Sequence, residues 1–590
     1  MAPGTGLNAS FAAGMPRRGR VAFVSQSGAL CTSVLDWALE QGIGFSYFIS
    51  VGNMVDVDFG DLIDFLSRDE QTQSMVFYAE SISDARKFMS AARAFTATKP
   101  LIAYKAGRFA ESAEAAVSHT GAMAGADEVC DAAFRRAGVE RALEIGEVFD
   151  CAELLARTRL PRGPRLAVIT NAGGPGVITA DALLAREGKL AELSDSSLDK
   201  LNDRLPPYWS QGNPVDVLGD ARADRYREAV QIALDDDGVD AALVILTPQA
   251  MTEPAATASA LGKLASHSEK PVLATWMGGR AVREGIERLE DARVPAFDMP
   301  EEAVQAFMHL VSFARLREQR YDTPPEQPED LELDKKGIRR TFDEVVEQTG
   351  GEVLSEHHAK KLLAAYGIPI AKTSIARSAE EAAKQAEQTG YPVALKVIAP
   401  QVTHKSEAGG VALGLRDANE VKDAYGRIAQ TVAERHPDAK VEGVTVQPMI
   451  DTEHGVELIL GAKQDATFGA VVMAGAGGTS AELFDDSALE LPPLTPRLAR
   501  RMLESLRTWR LVRGYRGRPA CDVDRLIDVL VRFSYLVAQH PEIQEFDINP
   551  LLAAPDKAVA LDARAVIARD RIGADKPCYD HLAIRPKSVE

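Results

Sequence analysis

Two glycine-containing turns stand between a strand pattern and a helix pattern and could hold an anion. The first consists of Ser25, Gln26, Ser27 and Gly28, and the second includes Asn171, Gly173, Gly174 and Gly176. Backbone N–H groups and the positive end of a helix dipole make such a turn suitable for phosphate. A tight turn that simply needs glycine is the alternative, since neither turn matches a dinucleotide or P-loop signature.

His119 lies among small residues in AVSHTGAMAG, a setting that leaves room for a bulky reactant. A single histidine is more often structural, but a carboxylate partner would fix its tautomer and its basicity. Glu80 ends the strand pattern FYAE in the same part of the chain and is the best candidate partner. An ordinary exposed carboxylate at a strand end is the alternative for Glu80.

A third group of residues favours a nucleotide site. Lys396 stands in the apolar strand pattern VALKVI, where a lysine needs an anionic partner such as phosphate. His404 follows in the glycine loop VTHKSEAGGV, and Gln447 and Met449 end a later strand where they could border a base.

Oxygen-bearing side chains near the end of the chain suggest magnesium. Asp547, Asn549 and Asp562 lie at the ends of two adjacent strand patterns. Mg²⁺ prefers one or two carboxylates together with phosphate oxygens. Asn549 also precedes Pro550 and would suit a turn, but the combination with Lys396 favours a nucleotide–Mg²⁺ site.

The elements that must position these residues alternate between strand and helix over two stretches of chain. Strand patterns lie at 21–25, 45–52, 74–80 and 100–107, and then at 165–174, 241–248 and 271–279. Such alternation predicts parallel, doubly wound sheets. We therefore expect an α/β protein with two related modules, at 20–158 and 164–318.

The remaining boundaries follow from composition. Residues 1–19 are predicted to be a loose tail, and 319–345, rich in proline and charge, an interdomain linker. A third domain is predicted at 346–570, followed by a tail at 571–590.

Charge and cysteine content exclude several classes of protein. There are 67 Lys and Arg against 86 Asp and Glu, for a net charge of −19, which argues against binding nucleic acid or anionic membranes. The five cysteines form no C-x-x-C pair, and no long apolar run is present. We expect a soluble cytoplasmic protein without a disulfide framework.

The motifs SQSGAL, SHTGA, NAGGPG, HKSEAGGV and DINPL occur in the order typical of the NDP-forming acyl-CoA synthetase superfamily, which the chain resembles over about residues 19–570. This superfamily includes succinyl-CoA synthetase and ADP-forming acetyl-CoA synthetase. The resemblance implies two flavodoxin-like, succinyl-CoA synthetase-like domains followed by an ATP-grasp domain. It also implies an acid–thiol ligase that uses ATP, Mg²⁺ and CoA, and that works through an acyl phosphate and a phosphohistidine.

The resemblance implies residue roles as well. His119 would carry the phosphoryl group, Glu80 would orient His119, and the two turns would hold the phosphoryl group. His404 would be a second phosphohistidine that moves phosphate from the ATP site. The implied nucleotide contacts are Lys396, Gln447, Met449 and Glu457, and the implied metal ligands are Asp547, Asn549 and Asp562.

Two departures from the family pattern leave other functions open. Family members normally begin with a CoA-binding domain, so we expect that a separate subunit supplies it or that the chain is a fragment. The segment PCYDHLAIRP resembles the connection to a GNAT domain in bacterial lysine acetyltransferases. A regulatory module that senses acyl-CoA or nucleotide and a CoA-linked lyase are therefore the alternatives, and an oligomer is expected.

Overall fold

The computed structural model describes residues 1–10, 12, 14–41, 43–109, 127–319, 322–325, 335–349, 353–399, 402, 405, 407–477, 486–568 and 571–572. His119 and His404 lie outside the described residues. The chain divides into two compact units, the first made mainly of residues 1–127 and 134–321, the second mainly of residues 322–584.

The first module of the first unit is a parallel sheet with helices between its strands. Its elements are β1 (Arg17–Ser25), α1 (Gly28–Gln41), β2 (Gly44–Ser50), α2 (Phe59–Ser67), β3 (Ser74–Ala79), α3 (Ala85–Phe95), β4 (Leu101–Lys105), α4 (Asp127–Ala137), β5 (Glu140–Arg141) and α5 (Ile145–Arg157). The strand order β2-β1-β3-β4-β5 is the flavodoxin order, as the sequence predicted.

The second module has the same order of strands. Its elements are β6 (Arg165–Thr170), α6 (Gly173–Ala185), β7 (Lys189–Leu190), α7 (Asp195–Arg204), β8 (Val215–Asp216), α8 (Ala223–Asp235), β9 (Ala241–Leu246), α9 (Pro254–His267), β10 (Val272–Trp276), α10 (Arg283–Asp291), β11 (Ala296–Phe297) and α11 (Pro300–Gln319). The sheet runs β11-β10-β9-β6-β7, and β8 pairs with the end of β6. Helix α6 begins at Gly173, within the second glycine-containing turn.

Both modules contribute residues to one hydrophobic core. Their central strands are almost continuously apolar. All six residues of β9 are buried, because helices cover both faces of a parallel sheet. Helix α11 also joins the modules through polar contacts. The buried Glu140 of β5 lies 2.9 Å from Nδ1 of His309 and accepts a hydrogen bond from Ser312 Oγ at 2.8 Å.

The second unit is built on two antiparallel sheets. Its elements are α12 (Lys335–Thr349), β12 (Val353–Leu354), α13 (Glu356–Ala365), β13 (Ser374–Ala376), α14 (Ala379–Thr389), β14 (Val393–Ile398), β15 (Val411–Leu415), α15 (Ala418–Arg435), β16 (Gly443–Pro448), β17 (Val456–Asp465), β18 (Gly469–Ala476), β19 (Ser487–Glu490), α16 (Pro496–Glu504), α17 (Trp509–Val512), α18 (Val523–Gln539), β20 (Ile543–Ala553), β21 (Ala558–Ala560) and β22 (Ala563–Ile567). The small sheet runs β13-β16-β14-β15. The large sheet runs β12-β22-β20-β17-β18-β19, with β21 on β20.

Two predictions about connecting segments were wrong in part. Helix α12 begins inside the predicted linker at Lys335, because Ile338 and Phe342, four residues apart on one helix face, bury themselves in the core of the second unit. In the predicted tail, β1 already begins at Arg17, and the ammonium group of Met1 donates to Phe48 O at 2.6 Å. In the described parts of the chain, no helix has both the length and the apolar character that crossing a bilayer requires.

Candidate active site

The first predicted turn leads directly from β1 into α1. The hydroxyl of the buried Ser25 donates to Ser27 O and accepts from Ser27 N, both at 3.0 Å. Ser27 Oγ accepts from Leu30 N at 3.3 Å and so caps the start of α1. Among the described residues, a Cβ on Gly28 would meet Ser50 Oγ alone, at 3.8 Å. The start of the helix is therefore fixed by its own residues, and no described atom crowds Gly28.

The side chain of Gln26 fastens this turn to the end of β3. Its Oε1 accepts hydrogen bonds from Glu80 N at 2.5 Å and Ser81 N at 3.0 Å, and its Nε2 donates to Ser81 Oγ at 3.2 Å. Gln26 N donates to Tyr78 O at 3.2 Å. Because these bonds fix the orientation of the Gln26 side chain, Gln26 positions the turn against the end of β3.

The carboxylate of Glu80 has a defined partner at the carboxyl edge of the sheet. Tyr78 donates its hydroxyl to Glu80 Oε1 at 3.3 Å, and the ring of Tyr78 stacks on Tyr104 with centroids 5.7 Å apart and an interplanar angle of 13°. Burial, followed by the charge of Glu80, raises the pKa of Tyr78 to about 12. Tyr78 is therefore a hydrogen-bond donor throughout the neutral range.

The second predicted turn repeats the contacts of the first. Thr170 Oγ1 donates to Ala172 O at 2.9 Å and accepts from Ala172 N at 3.1 Å. Asn171 Oδ1 accepts from Thr247 N at 2.9 Å and from Thr247 Oγ1 at 3.0 Å, and Nδ2 donates to Thr247 O at 2.9 Å. A side-chain amide thus fastens the turn after β6 to the end of β9.

The glycines of the second turn serve two purposes. In the part of the chain that the structure describes, a Cβ on Gly173 would meet Asp216 Oδ2 alone, at 3.7 Å, and one on Gly174 would meet nothing within 4 Å, so no described side chain covers the helix start. A Cβ on Gly176 would approach both Pro214 Cβ and Thr170 Cγ2 to 3.2 Å. Gly176 therefore permits close packing of α6 against the strand, whereas Gly173 and Gly174 leave space at the N-terminus of the helix.

Both turns lie where ligands bind in open parallel sheets. Strand β1 has β2 on one side and β3 on the other, and β6 has β7 and β8 on one side and β9 on the other. Each turn is therefore at the carboxyl end of the strand where the strand order reverses, which is the usual ligand position in this class of fold.

In the second unit, a buried carboxylate collects three lysines from different elements. Glu356, the first residue of α13, has a side chain that is 4% exposed. Its Oε1 lies 2.8 Å from Lys360 Nζ and 3.6 Å from Lys396 Nζ, and its Oε2 lies 2.7 Å from Lys405 Nζ. These four residues, with Asp562, are called the lysine cluster below.

Asp562 connects the small sheet to the large sheet within this unit. Its Oδ2 accepts from Lys396 Nζ at 2.9 Å, and its Oδ1 lies 3.8 Å from Lys405 Nζ. Lys396 Nζ also donates to Leu561 O at 3.1 Å. The predicted pairing of Lys396 with an anion is thus met inside the protein by a carboxylate that precedes β22.

The lysine cluster carries one positive charge in excess when all five groups are ionised. Burial opposes the charge of Glu356, but Lys396, Lys360 and Lys405 outweigh it and lower its pKa. Burial likewise opposes the charge of Lys405, yet Glu356 and then Asp562 raise its pKa. For Lys360, burial dominates and lowers the pKa. The fixed ammonium groups suit an anionic ligand such as a phosphate chain.

Of the other predicted nucleotide residues, Gln447 contacts the lysine cluster, and Met449 and Glu457 are exposed. Gln447 is buried and its Oε1 accepts from Lys360 Nζ at 3.1 Å. Met449 is 37% exposed at the end of β16, and its backbone N–H donates to Pro392 O at 2.9 Å. Glu457 is exposed on β17 and accepts through its backbone O from Gly477 N at 2.9 Å.

The predicted metal ligands lie on neighbouring strands. Asp547 and Asn549 are both exposed on β20. Ile548 pairs with Ala563, and this register places Asn549 opposite Asp562. Among the described residues, no group of three or more His, Cys, Asp or Glu side chains could hold a metal. The predicted set includes the amide of Asn549 and has only two carboxylates, which is what Mg²⁺ needs when phosphate supplies further oxygens.

Sequence reasoning missed Glu356, Lys360 and Lys405. Glu356 and Lys360 stand one helical turn apart in α13, a spacing that usually indicates an exposed ion pair. Lys405 stood within the glycine loop around His404. Since the charged residues meet only when α13, β14 and this loop pack together, the helix pattern alone could not identify them.

Family models match nearly the whole chain in three parts. A succinyl-CoA ligase-like flavodoxin domain matches residues 18–155, a ligase-CoA domain 166–316 and an ATP-grasp domain 345–567. Together with two phosphate-suited turns and a lysine cluster, these matches define a nucleotide-dependent CoA ligase architecture.

Similar proteins agree with this class. The chain is 38% identical to acetate–CoA ligase (ADP-forming) I of Archaeoglobus fulgidus, over 96% of this chain and 80% of that protein. It is 34% identical to 4-hydroxybutyrate–CoA ligase (ADP-forming) of Nitrosopumilus maritimus, over 93% of this chain and 78% of that protein. An acetyl-coenzyme A synthetase from Candidatus Korarchaeum cryptofilum, solved with phosphate and ADP, matches with a TM-score of 0.50 and 34% identity, over 54% of this chain and 70% of that chain.

The chain belongs to the NDP-forming acyl-CoA synthetase superfamily. The predictions of two flavodoxin-like domains followed by an ATP-grasp domain, and of an ADP-forming acid–thiol ligase that uses ATP, Mg²⁺ and CoA, are confirmed at the level of this family.

Proposed function

We propose that this chain makes acyl-CoA from a carboxylic acid, CoA and ATP, with ATP at the lysine cluster and the transferred phosphoryl group between the two turns. The observation that carries the proposal is the repeated turn. The same pattern of hydrogen bonds fastens the start of α1 to β3 and the start of α6 to β9. Two open helix N-termini of this kind are suited to one concentrated negative charge.

On the nucleotide side, Lys396 contacts the phosphates, while Gln447, Met449 and Glu457 border the nucleotide. Mg²⁺, when bound, neutralises phosphate charge, and Asp547, Asn549 and Asp562 would hold it. Support comes from the register that sets Asn549 opposite Asp562 and from the bond between Asp562 and Lys396.

His404 and His119 carry the phosphoryl group in turn. The bond between the γ-phosphorus and its bridging oxygen breaks, ADP leaves, and a ring nitrogen of His404 bonds to phosphorus. A ring nitrogen of His119 then bonds to this phosphorus as the bond to His404 breaks, and the other ring nitrogen of His119 is oriented by Glu80. Attack by the carboxylate of the acid on this phosphorus gives an acyl phosphate, and attack by the CoA sulfur on the acyl carbon gives the thioester and phosphate.

The substrate is a carboxylic acid, since similar proteins are named for acetate, for 4-hydroxybutyrate and for the trans-feruloyl group. A cytoplasmic location, an oligomeric state and a CoA-binding or GNAT-type partner stay predictions. A regulatory sensing module and a CoA-linked lyase remain the alternatives, and they differ from the ligase in whether ATP phosphorylates the chain and whether acyl-CoA appears.

Labelling with γ-³²P-ATP and Mg²⁺ tests the proposal. We expect an acid-labile, alkali-stable label on the wild type, no label on His404→Ala, and label on His119→Ala that cannot be passed to added acid and CoA. His267→Ala, which alters an exposed histidine at the end of α9, is the matched control and should label normally. No label on a wild type that binds ATP by calorimetry would contradict the ligase and favour a sensor.

A further inference from the structure

We propose that Lys405 is a second phosphate-binding lysine of the ATP site and that Glu356 is the residue that positions it. The inference rests on the proposed function, because it takes the lysine cluster as the place of the nucleotide phosphates. It assigns roles to two residues that lay outside the predicted nucleotide site.

Lys360 is fully occupied and cannot be the second phosphate ligand. Its ammonium group donates to Glu356 Oε1 at 2.8 Å, Thr373 Oγ1 at 3.1 Å and Gln447 Oε1 at 3.1 Å. A lysine has three donors, so all of them are used. With a side chain only 2% exposed, Lys360 fixes Oε1 of Glu356 from within the protein.

Glu356 holds Lys405 with its other oxygen. Oε2 lies 2.7 Å from Lys405 Nζ, while Oε1 is held by Lys360. Because the carboxylate is bonded at both ends and is 4% exposed, its orientation is fixed before any ligand arrives. Removing one partner of such a buried charge is costly, so we expect the Glu356–Lys405 pair to persist when nucleotide binds.

Lys405 and Asp562 form the accessible side of the cluster. Their side chains are 24% and 26% exposed, against 2% for Lys360. Asp562 lies 2.9 Å from Lys396 Nζ and 3.8 Å from Lys405 Nζ, so both ammonium groups already share one anion. A phosphate group that takes the place of the Asp562 carboxylate would meet both lysines and leave Glu356 undisturbed.

The excess positive charge of the lysine cluster also favours Lys405 as a phosphate ligand. Glu356 and Asp562 together balance only two of the three lysines, and Lys405 is the most exposed of the three. An ammonium group is a compact point charge that binds phosphate without a fixed geometry. Lys405 is therefore available to a polyphosphate, and its contribution should depend on the number of phosphates in the ligand.

Calorimetry of Lys405→Met with ADP, a non-hydrolysable ATP analogue and adenosine tests the assignment. Loss of a charged hydrogen bond should weaken ADP and ATP-analogue binding by about ten- to a hundredfold, and adenosine binding should not change. Lys361→Met is the matched control, because Lys361 follows Lys360 in α13 but pairs with Glu344 at the surface. Unchanged ADP affinity in Lys405→Met overturns the proposal, and so does an equal loss for adenosine.

The positioning role of Glu356 is tested by a double-mutant cycle. Glu356→Gln should lower the affinity for ADP, as Lys405→Met does. The double variant should bind ADP about as well as the single variant with the lower affinity, since Glu356 acts through Lys405. Additive losses overturn the positioning role. Glu356→Asp, which keeps the charge but shortens the side chain, replaces Glu356→Gln if that variant does not fold. These binding measurements need no turnover, so ADP binding without phosphorylation would refute the ligase while leaving this assignment intact.

Discussion

The side-chain oxygen of Gln26 accepts the backbone N–H of Glu80, and this contact ties the turn after β1 to the residue that ends the strand pattern of β3. Asn171 makes the equivalent contact with Thr247 in the second module. The two turns are thus held by amide side chains that bond to the neighbouring strand. The geometry of the site therefore depends on residues that position others.

Replacement of Gln26 by leucine should slow phosphorylation of the chain. The N–H groups of Glu80 and Ser81 would lose their acceptor, at a cost of about 1–3 kcal/mol if they stay buried, and the turn would be free to shift. The rate of labelling from ATP and the thermal midpoint should both fall. Ser81→Ala removes only the weaker contact with Gln26 Nε2 and is the control. A Gln26→Leu chain that labels at the wild-type rate would contradict a positioning role.

Replacement of Asn171 should have the same effect from the second module. Asn171→Asp keeps an acceptor for Thr247 N but replaces the donor to Thr247 O with an oxygen that repels it. The substitution should therefore slow labelling more than a substitution of an exposed residue does. We expect a slower labelling rate with the strand content retained in circular dichroism. Gln231→Glu, on the exposed face of α8, is the control. Equal labelling of both variants would show that the contact does not position the turn.

The strands and the two modules could be predicted because their physics is local, whereas the flavodoxin-like arrangement followed from the resemblance to the family. Buried parallel strands are continuous apolar runs, and glycine turns mark their carboxyl ends. The start of α6 at Gly173 was missed, since glycine is a poor helix former and the apolar pattern begins only at Val177. At Gly173, the space left by the absence of a side chain is more important for the site than the low helix propensity of glycine.

The lysine cluster could be predicted only in part, because it depends on tertiary contacts. Lys396 was found because a charge in an apolar strand is conspicuous. Glu356 and Lys360 have the spacing of a surface ion pair, and nothing local indicates that both are buried. Helix α12 was missed for a related reason, since its buried apolar residues Ile338 and Phe342 are scattered among charges.

The contact between Glu140 and His309 should make stability depend on pH. Burial of the His309 ring opposes protonation, but the hydrogen bond and charge of Glu140, aided by Glu147, outweigh burial and the opposing Arg186 and raise its pKa. A raised folded-state pKa stabilises the fold fully below the unfolded value of about 6.5, and this contribution is lost as pH rises through the folded-state pKa.

Glu140→Gln should therefore lower the thermal midpoint more at pH about 5.5 than at a pH above the folded-state pKa of His309, where the ring is neutral in both chains. The glutamine oxygen can still accept from Ser312, so the remaining difference reports the ionic part of the contact. Glu301→Gln, an exposed change on the same helix as His309, is the control. If Glu140→Gln lowers the thermal midpoint equally at both pH values, His309 is not charged in the folded chain.

Asp562→Asn should weaken the Mg²⁺-dependent part of nucleotide binding. The carboxylate of Asp562 balances Lys396 and lies opposite Asn549, so its loss removes a predicted metal ligand and leaves both lysines more positive. We expect the Mg²⁺ concentration for half-maximal labelling to rise about tenfold, in line with a lost charged interaction. ADP affinity without Mg²⁺ should not fall, because the lysines then lack a competing anion.

Asp556→Asn, an exposed change in the loop before β21, is the control. An equal loss of ADP affinity with and without Mg²⁺ would remove Asp562 from the metal site and leave it as a structural partner of Lys396.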